Sequence, residues 1–274
     1  MTPQFRQARF ALAAVLALAA GGVVAAPTVY YGEDTAPKAT VPDPGNALNA
    51  RTEFLKQLLP TPLQTEGFEN FLPSESIPPS TGLPLTLFGS GSGISLASGT
   101  GGVTNIGTDA SGNVSTGRFN TTASGKYWWE TNGNFTITFA SAVHAFGMYG
   151  TDWGDFSGSL SLTLTDTNDA TTQLVLCGSG LNVYLPGSTV PTNVCGSGMT
   201  SGTLSFLGFV DPTVGYKSIT FNIASPDTSD YFGFDDLVIG ELPAPTHNVP
   251  EPATLALAGL ALAGLGASRR QRRG

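Results

Sequence analysis

The sequence predicts an all-β protein, built as an antiparallel β-sandwich. Clusters of Gly, Asn and Asp separate short runs in which apolar residues alternate with small polar ones, and this two-residue period is typical of strands that are buried on one face. About ten to twelve such strands are expected, which is enough for two packed sheets. Charged residues are only 12% and hydrophobic residues 41%, which permits a substantial core and excludes a charged disordered chain. The clearest alternating runs are residues 135–139, 159–165, 172–176, 203–209 and 218–223.

One stretch near the N-terminal end follows a helical period instead. Residues 46–59 (NALNARTEFLKQLL) place apolar side chains on one side of a helix, and Pro60 would end that helix. The segment before it, residues 27–45, is rich in Pro and is expected to be extended or flexible. Between the two chain ends we therefore expect an extended segment and short helix at 27–62, a β-sandwich domain at 63–241 and a linker at 242–249.

The first 26 residues have the layout of a secretory signal peptide. Arg6 and Arg9 provide the positive start, residues 10–20 are apolar, and residues 24–26 (VAA) are the small side chains that a signal peptidase needs. A buried helix is the alternative, but an Ala-rich apolar run beside the initiator Met favours export. The sequence therefore predicts a signal peptide at 1–26 and an exported protein.

The C-terminal residues 250–274 combine three features in a fixed order. Pro250, Glu251 and Pro252 come first, an apolar run follows at 253–267, and four arginines lie within 269–273. As a helix the apolar run would be about 22 Å long, which is marginal for a hydrocarbon core of about 30 Å. The arginines would stay on the cytoplasmic side of the membrane. The sequence predicts a short hydrophobic C-terminal helix that contacts the membrane only transiently.

This order of features resembles the PEP-CTERM sorting signal, a Pro-Glu-Pro motif followed by a short transmembrane helix and a basic tail. The resemblance implies cleavage near the motif by an exosortase, after transient residence in the inner membrane. It also implies a Gram-negative bacterium and a destination at the cell surface or in the extracellular matrix. A permanent C-terminal anchor is the alternative, which the short Gly- and Ala-rich span disfavours.

Removal of both ends would leave an acidic domain. It takes away six of the 12 basic residues and one of the 20 acidic residues, so the formal charge becomes about −13. Such a surface excludes nucleic acid as a partner and leaves cations and neutral glycans open. Cys177 and Cys195 are the two cysteines of the chain, and in an exported protein we expect them to form a disulfide.

The central region resembles a lectin-like jelly-roll domain that is common among PEP-CTERM proteins. Three stretches carry the resemblance: residues 63–71 (LQTEGFENF), 145–164 (AFGMYGTDWGDFSGSLSLTL) and 231–240 (YFGFDDLVIG). It implies a jelly-roll sandwich and an exported destination. It does not imply a reaction, because the members are mostly without assigned activity.

The same resemblance implies a structural Ca²⁺ site. The carboxylates concerned are Glu66, Glu69, Asp235 and Asp236. In similar carbohydrate-binding jelly rolls, the first and last strands lie together and hold the ion. Carried over, Glu69 and one of Asp235 or Asp236 would be ligands, with backbone carbonyls completing the six to eight oxygens that Ca²⁺ takes. Because neighbours in a strand point to opposite faces, only one of the two aspartates can point inward. The alternative is that these are ordinary residues at the entry to a strand.

Two further groups are candidates for glycan binding. Asp152, Trp153 and Asp155 follow a strand in a Gly-bounded turn, and an exposed Trp beside carboxylates can stack on a sugar ring and hydrogen-bond to it. The alternative is that the aspartates cap their own turn. Trp129 lies in the run YWWE, where alternation predicts one Trp in the core and one at the rim. The alternative there is that both pack under loops.

Signals for catalysis are weak. His144 and His247 are the only histidines, and no G-x-S-x-G nucleophile motif occurs. The acidic residues offer carboxylate pairs, but spacing alone cannot place two of them across a cleft. We therefore expect a non-enzymatic structural or polysaccharide-binding role, with Ca²⁺ as a structural ion. A polysaccharide-processing, glycosidase-like enzyme is the alternative.

Overall fold

The computed structural model describes residues 26–35, 39–59, 63–72, 85–105, 116–153, 158–195, 202–224 and 231–242. Residues 1–25 of the expected signal peptide, the Pro-Glu-Pro motif and the expected C-terminal helix lie outside them. In chain order the elements are β1 (Thr28–Asp34), α1 (Asn46–Leu55), β2 (Gln64–Glu66), β3 (Leu85–Leu87), β4 (Ile94–Gly99), β5 (Gly102–Thr104), β6 (Trp128–Thr131), β7 (Phe135–Val143), β8 (Ala145–Thr151), β9 (Ser159–Asp166), β10 (Thr171–Cys177), β11 (Leu204–Val210), β12 (Tyr216–Ala224) and β13 (Phe232–Gly240).

These strands form two antiparallel sheets, which confirms the predicted β-sandwich. The seven-stranded sheet has the order β1-β11-β8-β13-β6-β5, with β2 also pairing β13. The six-stranded sheet has the order β10-β9-β12-β7-β4-β3. From β7 to β13 the chain passes repeatedly between the two sheets, so the core is assembled from strands that are distant in sequence. No helix in the described ranges is long and apolar enough to cross a membrane.

Aromatic side chains fill the space between the sheets. The rings of Phe135 and Phe221, from neighbouring strands of the six-stranded sheet, stack with their centroids 4.3 Å apart. Phe234 of the opposite sheet meets them edge-on, at 5.2 and 5.6 Å. The inward positions of β12 are every second residue from Ile219 to Ile223, after a register shift that follows Tyr216.

The N-terminal segment belongs to the sandwich rather than preceding it. β1 pairs along its whole length with β11, from Thr28 opposite Val210 to Asp34 opposite Leu204. Helix α1 packs on the outer face of the seven-stranded sheet through Phe54, which is fully buried. The Asp34 carboxylate accepts hydrogen bonds from the N–H groups of Asn46 at 2.9 Å and Ala47 at 3.0 Å, which satisfies the first donors of the helix. The extended segment and the helix expected at 27–62 are therefore structural parts of one domain.

The turn between β11 and β12 is built around a buried carboxylate. Asp211 accepts hydrogen bonds from the backbone of Thr213 and Val214, and from the Tyr216 hydroxyl at 2.7 Å. Burial by itself would raise the pKa of Asp211, but these hydrogen bonds outweigh it and lower the pKa below its ordinary value. Asp211 therefore contributes stability that is present above about pH 4 and is lost as the pH falls through its folded pKa.

Tyr216→Phe should destabilise the domain and shift its acid unfolding. Losing a hydrogen bond to a charged group costs about 1.5–3 kcal/mol, and the pKa of Asp211 should rise, so unfolding should begin at a higher pH. Urea denaturation at pH 7 and acid titration by circular dichroism measure both effects. Tyr31→Phe is the control, because the hydrogen bond from the Tyr31 hydroxyl to Glu33 is longer, at 3.3 Å, and is only half-buried. An unchanged acid midpoint in Tyr216→Phe would contradict this role of Asp211.

Candidate functional site

Strands β2 and β13 lie in the first and last of the three stretches that resemble a jelly-roll domain, and they are paired in the sheet. β2 pairs with the second half of β13, with Glu66 opposite Leu237, while β6 pairs with the first half. Between these halves the register of β13 against β8 shifts, and Asp236 has a left-handed backbone with φ of 48°. This bulge places Asp235 and Asp236 in the gap between β6 and β2. Only Asp235 becomes fully buried, at 1% exposure.

Asp235 holds the segment that crosses this gap, residues 120–127. One of its oxygens, Oδ2, accepts hydrogen bonds from the backbone N–H groups of Thr121 at 2.6 Å and Thr122 at 3.1 Å, and from the Thr121 hydroxyl at 3.0 Å. Asp236 accepts the Thr122 hydroxyl at 2.8 Å. Burial, together with the nearby charge of Asp236, raises the pKa of Asp235 well above its ordinary value, although the N–H donors act in the opposite direction.

Glu69 holds the other end of the same segment. Its Oε1 atom accepts hydrogen bonds from the backbone N–H groups of Lys126 at 2.7 Å and Tyr127 at 2.8 Å, and from the Asn120 side chain at 3.0 Å. The three residues expected to bind Ca²⁺ therefore act here on one loop, as acceptors for N–H and O–H donors. In the described segments no group of three or more His, Cys, Asp or Glu side chains is placed to share an ion. The calcium site stays a prediction.

Glu66 is a fourth carboxylate that holds backbone segments by accepting their N–H groups. Its oxygens accept the backbone N–H groups of Phe68 at 2.7 Å and of Phe88 at 2.5 Å, and Glu66 is 4% exposed. Burial raises its pKa, and the two N–H donors act against that rise. Because Phe88 follows β3 of the six-stranded sheet, Glu66 ties one sheet to the other.

The expected sugar-binding tryptophans are core residues, which corrects that interpretation. Trp129 is 1% exposed and packs against Phe68 and Phe135, each with ring centroids 6.3 Å from it. Trp153 is also 1% exposed and meets Phe234 edge-on at 5.7 Å. Neither side chain has a free face for a sugar ring.

Trp128 and Asp152 are enclosed for different reasons. Trp128 points to the outer face of the seven-stranded sheet, where a rim position was expected, yet it is 2% exposed because other chain segments cover that face. Asp152 accepts the N–H of Gly202, fifty residues away, at 2.8 Å and lies 3.5 Å from Arg118, so it joins distant segments to this turn. Asp155 lies outside the described residues.

The outer face of the six-stranded sheet carries a feature that the sequence analysis missed. The strand pairings align eleven of its outward residues into two rows that run across the strands. We call these eleven positions the hydroxyl face, because all but one of them are Ser or Thr and none is charged. The first row is Thr86, Ser95, Thr138, Ser218, Thr165 and Thr171, and the second row is Ser98, Thr136, Thr220, Thr163 and Gln173.

The side chains of the hydroxyl face hold one another in place. Ser95 and Thr138 share a hydrogen bond of 3.0 Å, and so do Thr136 and Thr220. Strands lie about 4.8 Å apart, so the first row is roughly 24 Å long. Threonine is stiff at χ1, which keeps its hydroxyl in a defined direction. The result is a broad, uncharged and ordered surface of donors and acceptors.

Comparison with known proteins establishes the cellular destination of this protein. The model of the PEP-CTERM protein-sorting motif matches residues 248–273. The chain carries a PEP-CTERM sorting signal. This signal marks exported proteins of Gram-negative bacteria, so the protein is sorted to the cell surface or the extracellular space. The match covers the C-terminal end alone, and no curated protein matches the chain.

Solved structures similar to this chain include two adhesin domains and a carbohydrate-binding module. The K2 cleaved adhesin domain of Lys-gingipain is 15% identical with a TM-score of 0.33, and covers 65% of this chain and 98% of its own. The K3 domain from Porphyromonas gingivalis w83 is 11% identical, with a TM-score of 0.29 and the same coverage. TmCBM61 in complex with beta-1,4-galactotriose is 10% identical with a TM-score of 0.21, and covers 69% of this chain and 93% of its own. Likeness at this level carries no argument about function.

Proposed function

We propose that the mature domain is a non-catalytic component of the cell surface or extracellular matrix that binds uncharged polysaccharide. The observation that carries the proposal is the hydroxyl face. Polysaccharide presents repeated hydroxyl groups that both donate and accept hydrogen bonds, and Ser and Thr side chains do the same. An ordered array of such groups can contact many sugar units at once, and each contact need contribute only a small free energy.

Charge favours a neutral polymer over an acidic one. The domain carries a formal charge of about −13 once both ends are removed, so an acidic polymer is repelled by the protein as a whole. The hydroxyl face itself contains no charged side chain that binding would have to strip of water. Binding of a neutral polysaccharide therefore involves neither charge repulsion nor the dehydration of a charged side chain.

The environment of the carboxylates supports a non-enzymatic role. Glycoside hydrolysis needs two carboxyl groups that face each other across the bond to be cut. In the described segments, Glu66, Glu69, Asp152, Asp211 and Asp235 each accept hydrogen bonds from backbone N–H groups, and for all but Asp211 at least one of these donors lies in a distant part of the chain. Side chains that hold loops in this way are not available to a substrate. A glycosidase-like enzyme stays the alternative.

The place of the sorting motif fits processing by an exosortase at the membrane. β13 ends at Gly240, and Pro250 begins the motif. The chain between them can span at most about 36 Å, so a cut near the motif takes place close to the folded domain and frees it from the inner membrane. The inner membrane is thus a transient partner, and the polysaccharide is the lasting one.

Removing hydroxyl groups from the centre of the hydroxyl face should weaken binding. Thr136→Val combined with Thr220→Val keeps the side-chain shape and deletes two adjacent hydroxyls, so we expect roughly tenfold weaker binding of residues 27–249 to the producer's neutral exopolysaccharide. The measurement is a binding isotherm with the purified polymer. Thr28→Val combined with Thr65→Val is the control, since both residues are exposed on the other sheet. Equal binding by both double variants would contradict the assignment of this face.

The same isotherm separates the other hypotheses. Repeating it with Ca²⁺ and with EDTA tests the structural calcium ion, because loss of binding and of thermal stability in EDTA would support that ion. Release of reducing ends from the polymer would favour the enzyme. Absence of saturable binding under every condition would leave a purely structural coat protein.

A further inference from the structure

The disulfide closes a loop that is fixed along a sheet edge. Cys177 and Cys195 are joined, with Cα atoms 5.6 Å apart and a sequence separation of 18, which confirms the expected pairing. The loop leaves the end of β10, an edge strand of the six-stranded sheet. Its residues Val183 and Val194 are buried in the sandwich core, at 1% and 0% exposure. The loop is thus held at two buried points as well as by the covalent bond.

Backbone and side-chain hydrogen bonds tie the loop to β10. The Asn182 side chain accepts the N–H of Val175 at 2.6 Å and donates to the carbonyl of Gln173 at 2.7 Å, so one amide group satisfies the free edge as a neighbouring strand would. Farther along, the N–H of Val194 donates to the carbonyl of Leu176 at 2.9 Å. These contacts fix the direction of the chain on both sides of the intervening residues.

This fixed loop presents an aromatic side chain to solvent. Tyr184 is 47% exposed, and it is the one aromatic residue among the exposed large hydrophobic side chains of the described segments. Tyr184 follows Asn182 by two residues, and Asn182 is bound to Gln173, the end of the second row of the hydroxyl face. The Cα atom of Tyr184 therefore lies within about 7 Å of the Cα atom of Asn182, the residue that is bound to the end of that row.

We propose that Tyr184 is the aromatic residue of the polysaccharide site, stacking on a sugar ring at the β10 end of the hydroxyl face, and that the disulfide holds it there. The inference rests on the proposed function and adds a residue and a ring contact to it. Tyrosine suits this task because it offers a flat, amphipathic surface and has few rotatable bonds to restrict on binding. A fixed loop lowers the ordering cost further, since the ring is already in place.

Substitution of Tyr184 tests the ring contact. Tyr184→Ala should weaken binding of residues 27–249 to the neutral polysaccharide by about tenfold, as aromatic contact residues commonly do. Tyr184→Phe keeps the ring and should bind within about twofold of the parent, since stacking does not need the hydroxyl. Val190→Ala is the matched control, because Val190 lies on the same loop and is 67% exposed. The melting temperature should not change in any of them, because the altered side chains are exposed.

Reduction of the disulfide tests the role of the loop. In dithiothreitol, at a temperature where circular dichroism shows the domain folded, the parent should bind as weakly as Tyr184→Ala does, and Tyr184→Ala should lose nothing more. Unchanged binding of the reduced parent would overturn the role of the disulfide.

The outcomes keep the inference apart from the proposed function. If Tyr184→Ala binds like the parent while Thr136→Val with Thr220→Val binds weakly, the ring contact is wrong and the proposed function stands. If the parent does not bind neutral polysaccharide at all, the proposed function falls, and this inference falls with it.

Discussion

Replacing Asp235 with alanine is expected to lower the free energy of unfolding by about 3 kcal/mol. The substitution removes the acceptor for the N–H groups of Thr121 and Thr122, which lie at 2.6 and 3.1 Å from it. Thr121 is itself buried, so its N–H would be left without a partner away from water, and such a group is costly. Urea denaturation of residues 27–249 at pH 7 measures the loss.

Asp236→Ala is the matched control for this prediction. Asp236 is the next residue in the same bulge but is only half-buried, and it accepts the Thr122 hydroxyl. Its loss should cost about 1 kcal/mol for the hydrogen bond, and a further fraction because alanine tolerates the left-handed backbone of this position less well than aspartate does, which still leaves the loss below that of Asp235→Ala. Similar losses in the two variants would show that Asp235 does not hold the 120–127 segment in the way described.

The effect of Asp235→Ala should also depend on pH. Burial beside Asp236 raises the folded pKa of Asp235 above its unfolded value. A group of this kind contributes most below its unfolded pKa, and its contribution is lost as the pH rises through the folded pKa. The difference in stability between parent and variant should therefore shrink as the pH rises. Asp211, whose pKa is lowered, makes a contribution to stability with the opposite pH dependence. Because Asp211 is present in both proteins, that contribution cancels in the difference.

Removing the disulfide is expected to cost about 3 kcal/mol of stability. Cys177→Ala with Cys195→Ala frees a loop of 18 residues in sequence separation, and the entropy gained by the unfolded chain accounts for a loss of that size. Alanine avoids placing new hydroxyl groups at positions that are 2% and 4% exposed. Thermal and urea denaturation measure the change.

Dithiothreitol provides the control for the disulfide. Reduction should destabilise the parent by about as much as the double substitution does, because both lift the same constraint. It should leave the double variant unchanged. A parent that is equally stable in its oxidised and reduced forms would contradict a stabilising role for this bond.

Features that depend on residues near one another in the chain could be predicted from the sequence. The two-residue period marks strands because alternate side chains point to opposite faces, and this is a local property of extended backbone. It located β7, β9, β10, β11 and β12. The sorting signal is also a continuous stretch, so its three parts could be recognised in order. The pairing of two cysteines in an exported chain leaves only one choice.

The tryptophans show where local reasoning ends. Alternation correctly puts Trp128 and Trp129 on opposite faces of β6. It cannot say that Trp128 is buried on the outer face, because that burial depends on other segments of the folded chain. The burial of Trp129 also depends on a glycine: a Cβ at Gly101 would lie 2.3 Å from the Trp129 ring, so glycine is needed where that ring packs. The partner glycine is distant in sequence, and only the fold pairs the two.

The sequence by itself determined the class of fold, the export of the protein and the disulfide, because each depends on local period, on a continuous motif or on simple counting. Only the tertiary structure decided what the polar residues do. Asp235 and Glu69 hold one loop because β2 and β13 meet, and the hydroxyl face exists because the register aligns strands from residue 86 to residue 220. Register is set by the packing of the whole core, and a shift of one residue would turn these hydroxyls inward.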